Sequence, residues 1–249
     1  GMLACGDTGE GRMKEPEEIL SFVLEVFGRG RDMAGLRVLV TAGPTRERID
    51  PVRFVSSPST GKMGYAIAAA AADRGAAVTL VSGPVALAPP AKTRVVPVQT
   101  AQEMYDAALA HFDDVDMVFK TAAVADYRPV RAHARKLKKD GALAIEFERT
   151  RDILLELGRR KRRQTLVGFA AETHDVEAYA KRKLEEKNLD MIAANDVSRE
   201  GCGFAADANH IILYKRDGTS EDFGVLTKAQ AADRLIGAAL LWRKAHPPV

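Results

Sequence analysis

Short apolar runs alternate with helical segments along most of this chain. Runs rich in β-branched residues lie at 38–40, 78–81, 115–119, 166–169 and 191–194. Helical periodicity marks the segments at 63–74, 101–111, 151–159 and 176–187. Strands that alternate with helices form parallel sheets, because each helix crosses over the sheet before the next strand begins. The pattern therefore predicts an α/β fold with a doubly wound, mostly parallel sheet.

Three segments depart from this alternation. Residues 211–214 and 221–225 flank Arg216-Asp217-Gly218, and an Asp-Gly pair between two apolar runs is a hairpin signal. Residues 143–148 alternate with period two after a loop, which predicts a small strand outside the main pattern. Terminal helices are predicted at 16–27 and 228–244. The complete prediction is a three-layer, Rossmann-like sheet with an antiparallel edge hairpin.

A segment rich in Ser, Thr and Pro joins the first predicted strand to the first helix. A helix that begins after such a segment presents unpaired backbone N–H groups at the positive end of its dipole, where phosphate binds readily. The segment is neither a P-loop nor a G-x-G-x-x-G fingerprint. Ser and Thr are also common N-caps, so a simple capped helix explains the same residues and both interpretations stay open. The candidate phosphate ligands are Arg53, Ser56, Ser57, Ser59, Thr60, Gly61 and Lys62.

Composition limits the class of protein. The 249 residues include 46% hydrophobic and 29% charged residues, which are ordinary values for a globular protein. A formal net charge of +3 gives no argument for a nucleic-acid partner, and no apolar run approaches the roughly 18 residues of a membrane span. The two cysteines, Cys5 and Cys202, imply no disulfide framework. We therefore expect a cytoplasmic protein that binds neither nucleic acid nor membrane.

Polar residues follow the third predicted strand in the segment KTAAVADYRP, at 120–129. Open α/β sheets bind ligands at the carboxyl ends of their strands, and Asp126 is placed there to hold Mg²⁺ against phosphates. A turn leading to Pro129 explains the same carboxylate. Lys136 and Lys138 follow with alternate spacing, which suits either phosphate oxygens or a solvated run of charge. Both pairs of interpretations stay open.

The fourth and fifth predicted strands end at the same edge. Phe169 is suited to stacking on a base, although a Phe in an apolar run is more often part of a core. Lys183 and Lys187 are four residues apart in a helix and share a face, where they bind phosphate or pair with neighbouring acids. Asn195-Asp196 closes the fifth strand and extends the predicted ligand edge.

The order of these segments resembles phosphopantothenate–cysteine ligase, the ligase domain of the bacterial bifunctional coenzyme A biosynthesis flavoproteins. The resemblance covers residues 37–225 and rests on VLVTAGPTRERIDPVRF, STGKMGY, AAVADYRP, KLKK, RDIL, VGFAAET, KLEEKNLD and ANDVS. It implies a remnant of a flavin-dependent decarboxylase domain at 1–15, a linker helix at 16–36 and the ligase domain at 37–249. Cys5 in the remnant resembles the acid of the decarboxylase, and FMN would belong only to that missing domain.

The resemblance also implies a reaction and a set of site residues. Phosphopantothenate, CTP and cysteine would give phosphopantothenoylcysteine, CMP and pyrophosphate through an acyl-cytidylate, with Mg²⁺ as cofactor and a homodimer formed by the ligase domain. The implied catalytic residues are Arg53, Ser57 and Lys136. The implied phosphopantothenate ligands are Arg53, Ser59, Thr60, Gly61, Lys62 and Asn195. The implied CTP ligands are Ala122, Asp126, Lys136, Arg151, Asp152, Ile153, Leu154, Phe169, Lys183 and Lys187, with Asp126 also holding the metal.

Two positions depart from the pattern of this family. Most relatives have Asn where this chain has Ser57, which is shorter and lacks the paired donor and acceptor of an amide. We expect the acyl-cytidylate to form, and its reaction with cysteine to be slowed or supported by another group. Arg151 stands where a Pro is typical, with only local consequences.

Two other functions remain open from the sequence. An NAD(P)-dependent oxidoreductase is suggested by the strand, glycine loop and alanine-rich helix. The oxidoreductase interpretation is weakened because the second predicted strand ends in Ser82-Gly83. A dinucleotide-binding site would need an acidic residue there to bind the ribose hydroxyl. A regulatory nucleotide-binding module, inactive because of Ser57, is the alternative without catalysis.

Overall fold

The computed structural model describes residues 30–138, 141–172, 175–196 and 206–247, together with Pro16 and Ile19. Cys5, the predicted remnant at 1–15 and almost all of the helix predicted at 16–27 lie outside the described residues. The elements in chain order are β1 (Arg37–Ala42), β2 (Arg46–Arg48), β3 (Phe54–Ser56), α1 (Lys62–Asp73), β4 (Ala77–Ser82), β5 (Thr93–Pro97), α2 (Ala101–Phe112), β6 (Met117–Lys120), β7 (Tyr127–Pro129), β8 (Phe147–Arg149), α3 (Ile153–Arg160), β9 (Thr165–Glu172), α4 (Val176–Glu186), β10 (Met191–Asp196), β11 (Ala208–Lys215), β12 (Ser220–Thr227) and α5 (Lys228–Ala245).

Eight strands form the main sheet in the order β12-β11-β10-β9-β6-β1-β4-β5. Six adjacent strands of the sheet, β10, β9, β6, β1, β4 and β5, are parallel to one another. Strand β11 runs antiparallel to both β10 and β12. The chain therefore winds outward from β1 through β4 to β5, then returns to build the other half from β6. The strand order reverses between β1 and β6, and open α/β sheets bind ligands in the crevice at that point.

Helices cover both faces of the sheet. Val38 and Val40 of β1 pack in the hydrophobic core that α1 and α5 share, whereas Leu39 packs in the core of α2, α3 and α4. This alternation follows from the two-residue period of a strand, because successive side chains point to opposite faces. The predicted three-layer, doubly wound fold with an antiparallel edge is confirmed. Within the described ranges, no helix combines the length and the apolar character needed to cross a bilayer.

The apolar pattern of the sequence did not predict all of the strands. The short parallel strand β5 was not predicted, and most of its side chains are only partly buried, so its apolar signal is weak. The strand predicted at 143–148 forms only at Phe147–Arg149, where all three residues are exposed. It pairs antiparallel with β7, inside the segment that was interpreted as a loop. A second small hairpin joins β2 and β3. The strands of both hairpins are short and have few buried side chains. They are therefore defined by their hydrogen-bonded pairing with each other and not by an apolar face that a sequence pattern could reveal.

An ion-pair network ties the end of α1 to the segment before β1 and to α5. The Arg74 side chain is only 10% exposed, and it donates to Asp32 at 2.9 Å and to Asp233 at 3.1 Å. The hydrogen bond from Arg74 holds the pKa of Asp32 below its ordinary value. A carboxyl with a lowered pKa contributes stability above its unfolded pKa of about 4, and this contribution is lost as the pH falls through the folded value.

Replacing Arg74 with methionine is expected to lower the free energy of unfolding at pH 7 by about 2 kcal/mol, because charge-assisted hydrogen bonds are lost from a mostly buried position. The loss should shrink as the pH falls below the unfolded pKa of Asp32, about 4, and through its lower folded pKa, below which Asp32 is protonated in both states. Urea unfolding at pH 7 and at low pH measures both effects. Arg160→Met removes the exposed pair with Glu156 and should change little. An equal loss at both pH values would contradict the assignment.

Candidate functional site

The loops that follow β1 and β6 are joined by hydrogen bonds at the point where the strand order reverses. The Thr41 carbonyl accepts from the Thr121 amide at 3.2 Å and from its hydroxyl at 2.6 Å. The Gly43 carbonyl accepts from the Ala123 amide at 3.0 Å. These bonds continue the parallel pairing of β1 and β6 into the loops, so the two loops are held side by side at the base of the crevice.

Helix α1 begins at the edge of this crevice. Its N-cap is Gly61, with a φ of 78° in the left-handed region that glycine adopts readily, and it makes no side-chain capping hydrogen bond. The simple interpretation that Ser or Thr caps this helix is therefore wrong. The Ser59 hydroxyl accepts from the Gly61 amide at 3.4 Å, one turn before the helix. The first turn of α1 presents its backbone amides beside polar side chains, an arrangement that suits an anion.

The first cavity, of about 200 Å³, lies between the start of α1 and the loop after β6. Three lysines line it, Lys62, Lys120 and Lys228. Lys62 forms an ion pair with Asp207 at 2.6 Å, and Lys228, which is 8% exposed, donates to Asn209 at 2.8 Å. The cavity is lined by Ser59, Thr60, Gly61, Lys62, Met63, Gly64, Lys120, Thr121, Ala122, Ala123, Val124, Phe169, Ala170, Asn195, Asn209 and Lys228.

The second cavity, of about 510 Å³, adjoins the first and extends toward α3 and α4. Five of its side chains are basic and two are acidic, so it favours a multiply charged anion. It shares Lys120, Val124 and Phe169 with the first cavity. Its lining residues are Lys120, Val124, Asp126, Tyr127, Arg149, Thr150, Arg151, Asp152, Ile153, Leu154, Leu155, Phe169, Lys183 and Lys187.

Asp152 organises the second cavity. Its side chain caps α3 by accepting from the Leu155 amide at 3.0 Å, and it pairs with Lys187 at 2.8 Å. Burial opposes its ionisation, but the hydrogen bonds from Lys187 and the Leu155 amide, together with the positive charges of Lys187 and Lys120, outweigh that effect and hold the pKa of the carboxyl below its ordinary value. The pair fixes the position of the Lys187 ammonium at the wall of the cavity.

Comparison with known proteins identifies the family. Residues 33–240 match the model of the DNA/pantothenate metabolism flavoprotein C-terminal domain. The chain belongs to this family. The coenzyme A biosynthesis bifunctional protein CoaBC of Bacillus subtilis is 48% identical over 240 residues, which cover 95% of this chain and 59% of the relative. The protein of the same name from Haemophilus influenzae is 50% identical over 238 residues, with the same two shares covered. The chain thus spans less than two thirds of the length of these relatives.

A solved structure supports the same assignment. The crystal structure of the C-terminal domain of CoaBC superposes on this chain with a TM-score of 0.75 and a sequence identity of 47%. The superposition covers 86% of this chain and 98% of the other. The DNA/pantothenate metabolism flavoprotein of Streptococcus pneumoniae, at 21% identity and a TM-score of 0.71, shares the fold. The resemblance proposed from the sequence motifs is confirmed at the level of the family.

Most of the residues expected from the flavoprotein C-terminal domain family line one of the two cavities. In the first cavity lie Ala122 and the expected phosphopantothenate ligands Ser59, Thr60, Gly61, Lys62 and Asn195. In the second lie the expected nucleotide ligands Asp126, Arg151, Asp152, Ile153, Leu154, Lys183 and Lys187. Phe169 lines both. Residues separated by more than 100 positions in the chain are therefore neighbours at one edge of the sheet.

Three expected residues lie elsewhere. Arg53 binds Asp50 through Nε at 3.0 Å and Nη2 at 2.6 Å, and Nη2 also donates to the Leu137 carbonyl at 3.3 Å. The neighbouring Lys136 is exposed. Neither Arg53 nor Lys136 is among the described residues that line the two cavities. Ser57 also lies outside both linings, although its hydroxyl donates at 3.3 Å to the carbonyl of Ala123, which lines the first.

Several lining residues were not among the site residues expected from the sequence, and Lys120, Lys228 and Asn209 are three of them. Lys120 ends a buried strand, and an ionisable residue in that position is a sequence signal for a functional site. Lys228 is the first residue of α5, where the helix dipole disfavours a cation, so its burial there is also informative. Asn209 lies within a strand and gave no signal of its own.

Proposed function

We propose that the chain is a CTP-dependent phosphopantothenate–cysteine ligase of coenzyme A biosynthesis. The observation that carries the proposal is the pair of adjoining cavities at the carboxyl edge of the sheet. One has a helix N-terminus, Ser, Thr and Lys, which suit a phosphorylated acid, and the other has the basic lining that suits a triphosphate. The names of the relatives, which are about half identical to this chain, agree with this function.

In the first half-reaction, a carboxylate oxygen of phosphopantothenate attacks the α-phosphorus of CTP. A bond forms between that oxygen and phosphorus, the bond from phosphorus to the α,β-bridging oxygen breaks, and pyrophosphate leaves with the electron pair. Positive charge must offset the approach of two anions, and the cavities must hold them in line. Lys183 and Lys187 are placed to bind the phosphates, and Lys62 is placed to bind the phosphopantothenate.

Asp126 fits a magnesium ion bound chiefly by the nucleotide. Mg²⁺ in proteins is commonly held by one or two carboxylates together with substrate phosphates. Asp126 lines the second cavity, and the part of the chain that the structure describes has no cluster of three or more His, Cys, Asp or Glu. The ion would neutralise phosphate charge.

In the second half-reaction, the cysteine amine attacks the acyl carbon, the bond to CMP breaks, and the amine proton is released. Ser57 lies beside the Ala123 carbonyl at the edge of the first cavity. Replacing Ser57 with asparagine is expected to speed consumption of the acyl-cytidylate by cysteine about fivefold, the effect of one added hydrogen bond. Pyrophosphate release without cysteine should stay unchanged. Rapid-quench mass spectrometry measures both steps, and an unchanged second step would contradict a role for this position.

The function is tested by incubating the full chain with phosphopantothenate, Mg²⁺ and CTP or ATP, before and after adding cysteine. We expect pyrophosphate and an acyl-cytidylate with CTP, followed by phosphopantothenoylcysteine and CMP once cysteine is present. An intermediate that persists would locate a defect in the second half-reaction. Absence of pyrophosphate with both nucleotides would leave a binding module, and a change in nicotinamide absorbance with NAD(P) would favour an oxidoreductase.

We also infer that the two small hairpins mediate homodimer formation. They lie beside each other, because β2 packs against β7, and they expose large apolar side chains to solvent. Light scattering should give twice the 27.0 kDa mass of one chain, and a monomer at micromolar concentration would reject the proposal. The exposed side chains are Val52, Phe54, Tyr127, Val130 and Phe147.

A further inference from the structure

Lys120 stands where the two cavities meet. It is the last residue of β6, in register with Thr41 of β1 and Gly168 of β9, at the reversal of strand order. Three described residues line both cavities, and Lys120 alone among them carries a charge, since the others are Val124 and Phe169. Its position follows from the strand order, and none of the functional roles derived so far uses its side chain.

Its ammonium is held in place by the loop that follows it. Nζ donates to the carbonyl of Ala122 at 2.9 Å. An ammonium has three N–H donors, and this bond uses one of them. A partly buried lysine whose stem is packed and whose head is fixed in this way loses little conformational freedom on binding an anion.

Charged groups from three elements face Lys120. Lys183 and Lys187 come from α4 and its end, Asp152 from the start of α3, and Asp126 from the loop after β6. Burial, reinforced by the charge of Lys187, lowers the pKa of Lys120 to about 8. The side chain is therefore mainly a cation at pH 7 and mainly neutral above pH 9.

We propose that Lys120 binds both reacting anions at the junction, the carboxylate in the first cavity and the α-phosphate in the second. This inference rests on the proposed ligase function. Lys62 and Lys183 each line only one cavity, so neither is placed to contact both groups. The ammonium transfers no proton in this step. It offsets the charge that gathers as the carboxylate oxygen binds phosphorus and pyrophosphate leaves.

A pH dependence follows from this role. Because the protonated form of Lys120 is the one that attracts the anions, acyl-cytidylate formation should fall as the pH rises through about 8. Arginine keeps its charge at every pH used for such an assay and should move this decline upward. Methionine has a similar length and no charge, so it should remove the decline together with most of the activity.

The test measures pyrophosphate release without cysteine for the wild type, K120M, K120R and Lys181→Met, across about pH 6.5 to 9.5. Lys181 is exposed on α4, where it pairs with Glu177, so its replacement is the charge-matched control. We expect K120M to lower kcat by roughly 100-fold with smaller changes in KM for either substrate. K120R should recover part of kcat and shift the alkaline decline.

The outcomes separate this proposal from the one it rests on. A wild type that releases no pyrophosphate with either nucleotide overturns the ligase and this inference together. An active wild type with undiminished kcat in K120M, or with an alkaline decline that K120R does not shift, overturns the inference alone. Circular dichroism confirms that each variant is folded. If K120M fails to fold, the comparison of wild type and K120R still decides the matter.

Discussion

Replacing Lys187 with methionine is expected to weaken CTP binding by roughly 10–100-fold, equivalent to about 1.5–3 kcal/mol for a lost charge-assisted hydrogen bond. Lys187 lines the second cavity and is 2.8 Å from Asp152. Its removal also leaves the Asp152 carboxylate without this partner, so that the carboxylate repels incoming phosphates. Helix α3 should persist, because Asp152 still accepts from the Leu155 amide. Isothermal titration calorimetry with CTP and Mg²⁺ measures the loss.

Two further variants make this experiment specific. Lys181→Met removes the same charge from the same helix, α4, but from an exposed pair outside both cavities, and should leave CTP affinity within about twofold. The double variant Lys187→Met with Asp152→Asn should recover part of the affinity, since asparagine still caps a helix and adds no negative charge. Equal losses for Lys181→Met and Lys187→Met would show that only the general charge of the surface matters.

Replacing Gly64 with alanine is expected to lower the free energy of unfolding by about 2 kcal/mol and to abolish binding in the first cavity. A Cβ at this position would lie 2.5 Å from the Ala42 Cβ and close to the Thr121 hydroxyl, which is hydrogen-bonded to Thr41. None of these groups is the end of a flexible chain, so α1 must move away from the sheet. Its N-terminus forms one wall of the first cavity, which would therefore lose its shape. Urea unfolding and calorimetry with phosphopantothenate measure the two effects.

Gly237 provides the matched control for this substitution. It lies inside α5, and a Cβ added there meets nothing within 4 Å. Alanine at such a position stabilises a helix by about 0.5–1 kcal/mol. The two substitutions are chemically identical and are expected to have opposite signs. A Gly64→Ala variant as stable as Gly237→Ala would show that the contact between α1 and β1 is looser than the structure indicates.

The sequence predicted the elements whose side chains face a core. Strand β1 and helices α1 and α5 were predicted to within one or two residues, because apolar periodicity is a property of the segment itself. The edge hairpin of β11 and β12 was predicted for a local reason too, the Asp217-Gly218 turn. The hairpins β2–β3 and β7–β8 were missed because their strands have three residues each and little or no buried face.

The candidate site was predictable where it lies near the carboxyl ends of parallel strands or on the loops that follow them. The carboxyl ends of parallel strands share one edge of the sheet, so Asp126, Phe169 and Asn195 could be grouped before their positions were known. Motif order added Lys183 and Lys187. Arg53 and Lys136 were grouped with these residues from their charge and local spacing and from motifs. The bond between Arg53 and Leu137 joins their two segments outside the cavity linings, and no local pattern indicates such a contact across 84 positions.

By itself, the sequence determined the class of fold, the family and the chemistry available at the carboxyl edge, because periodicity and motifs are encoded within short segments. Only the tertiary structure decided that β1 and β6 are neighbours, and therefore that Lys120 stands between two cavities. It also decided that Gly61, with no side-chain capping hydrogen bond, is the N-cap of α1. Strand order and cavity shape depend on packing between segments far apart in the chain, and the free energy of that packing belongs to the whole sheet rather than to any segment.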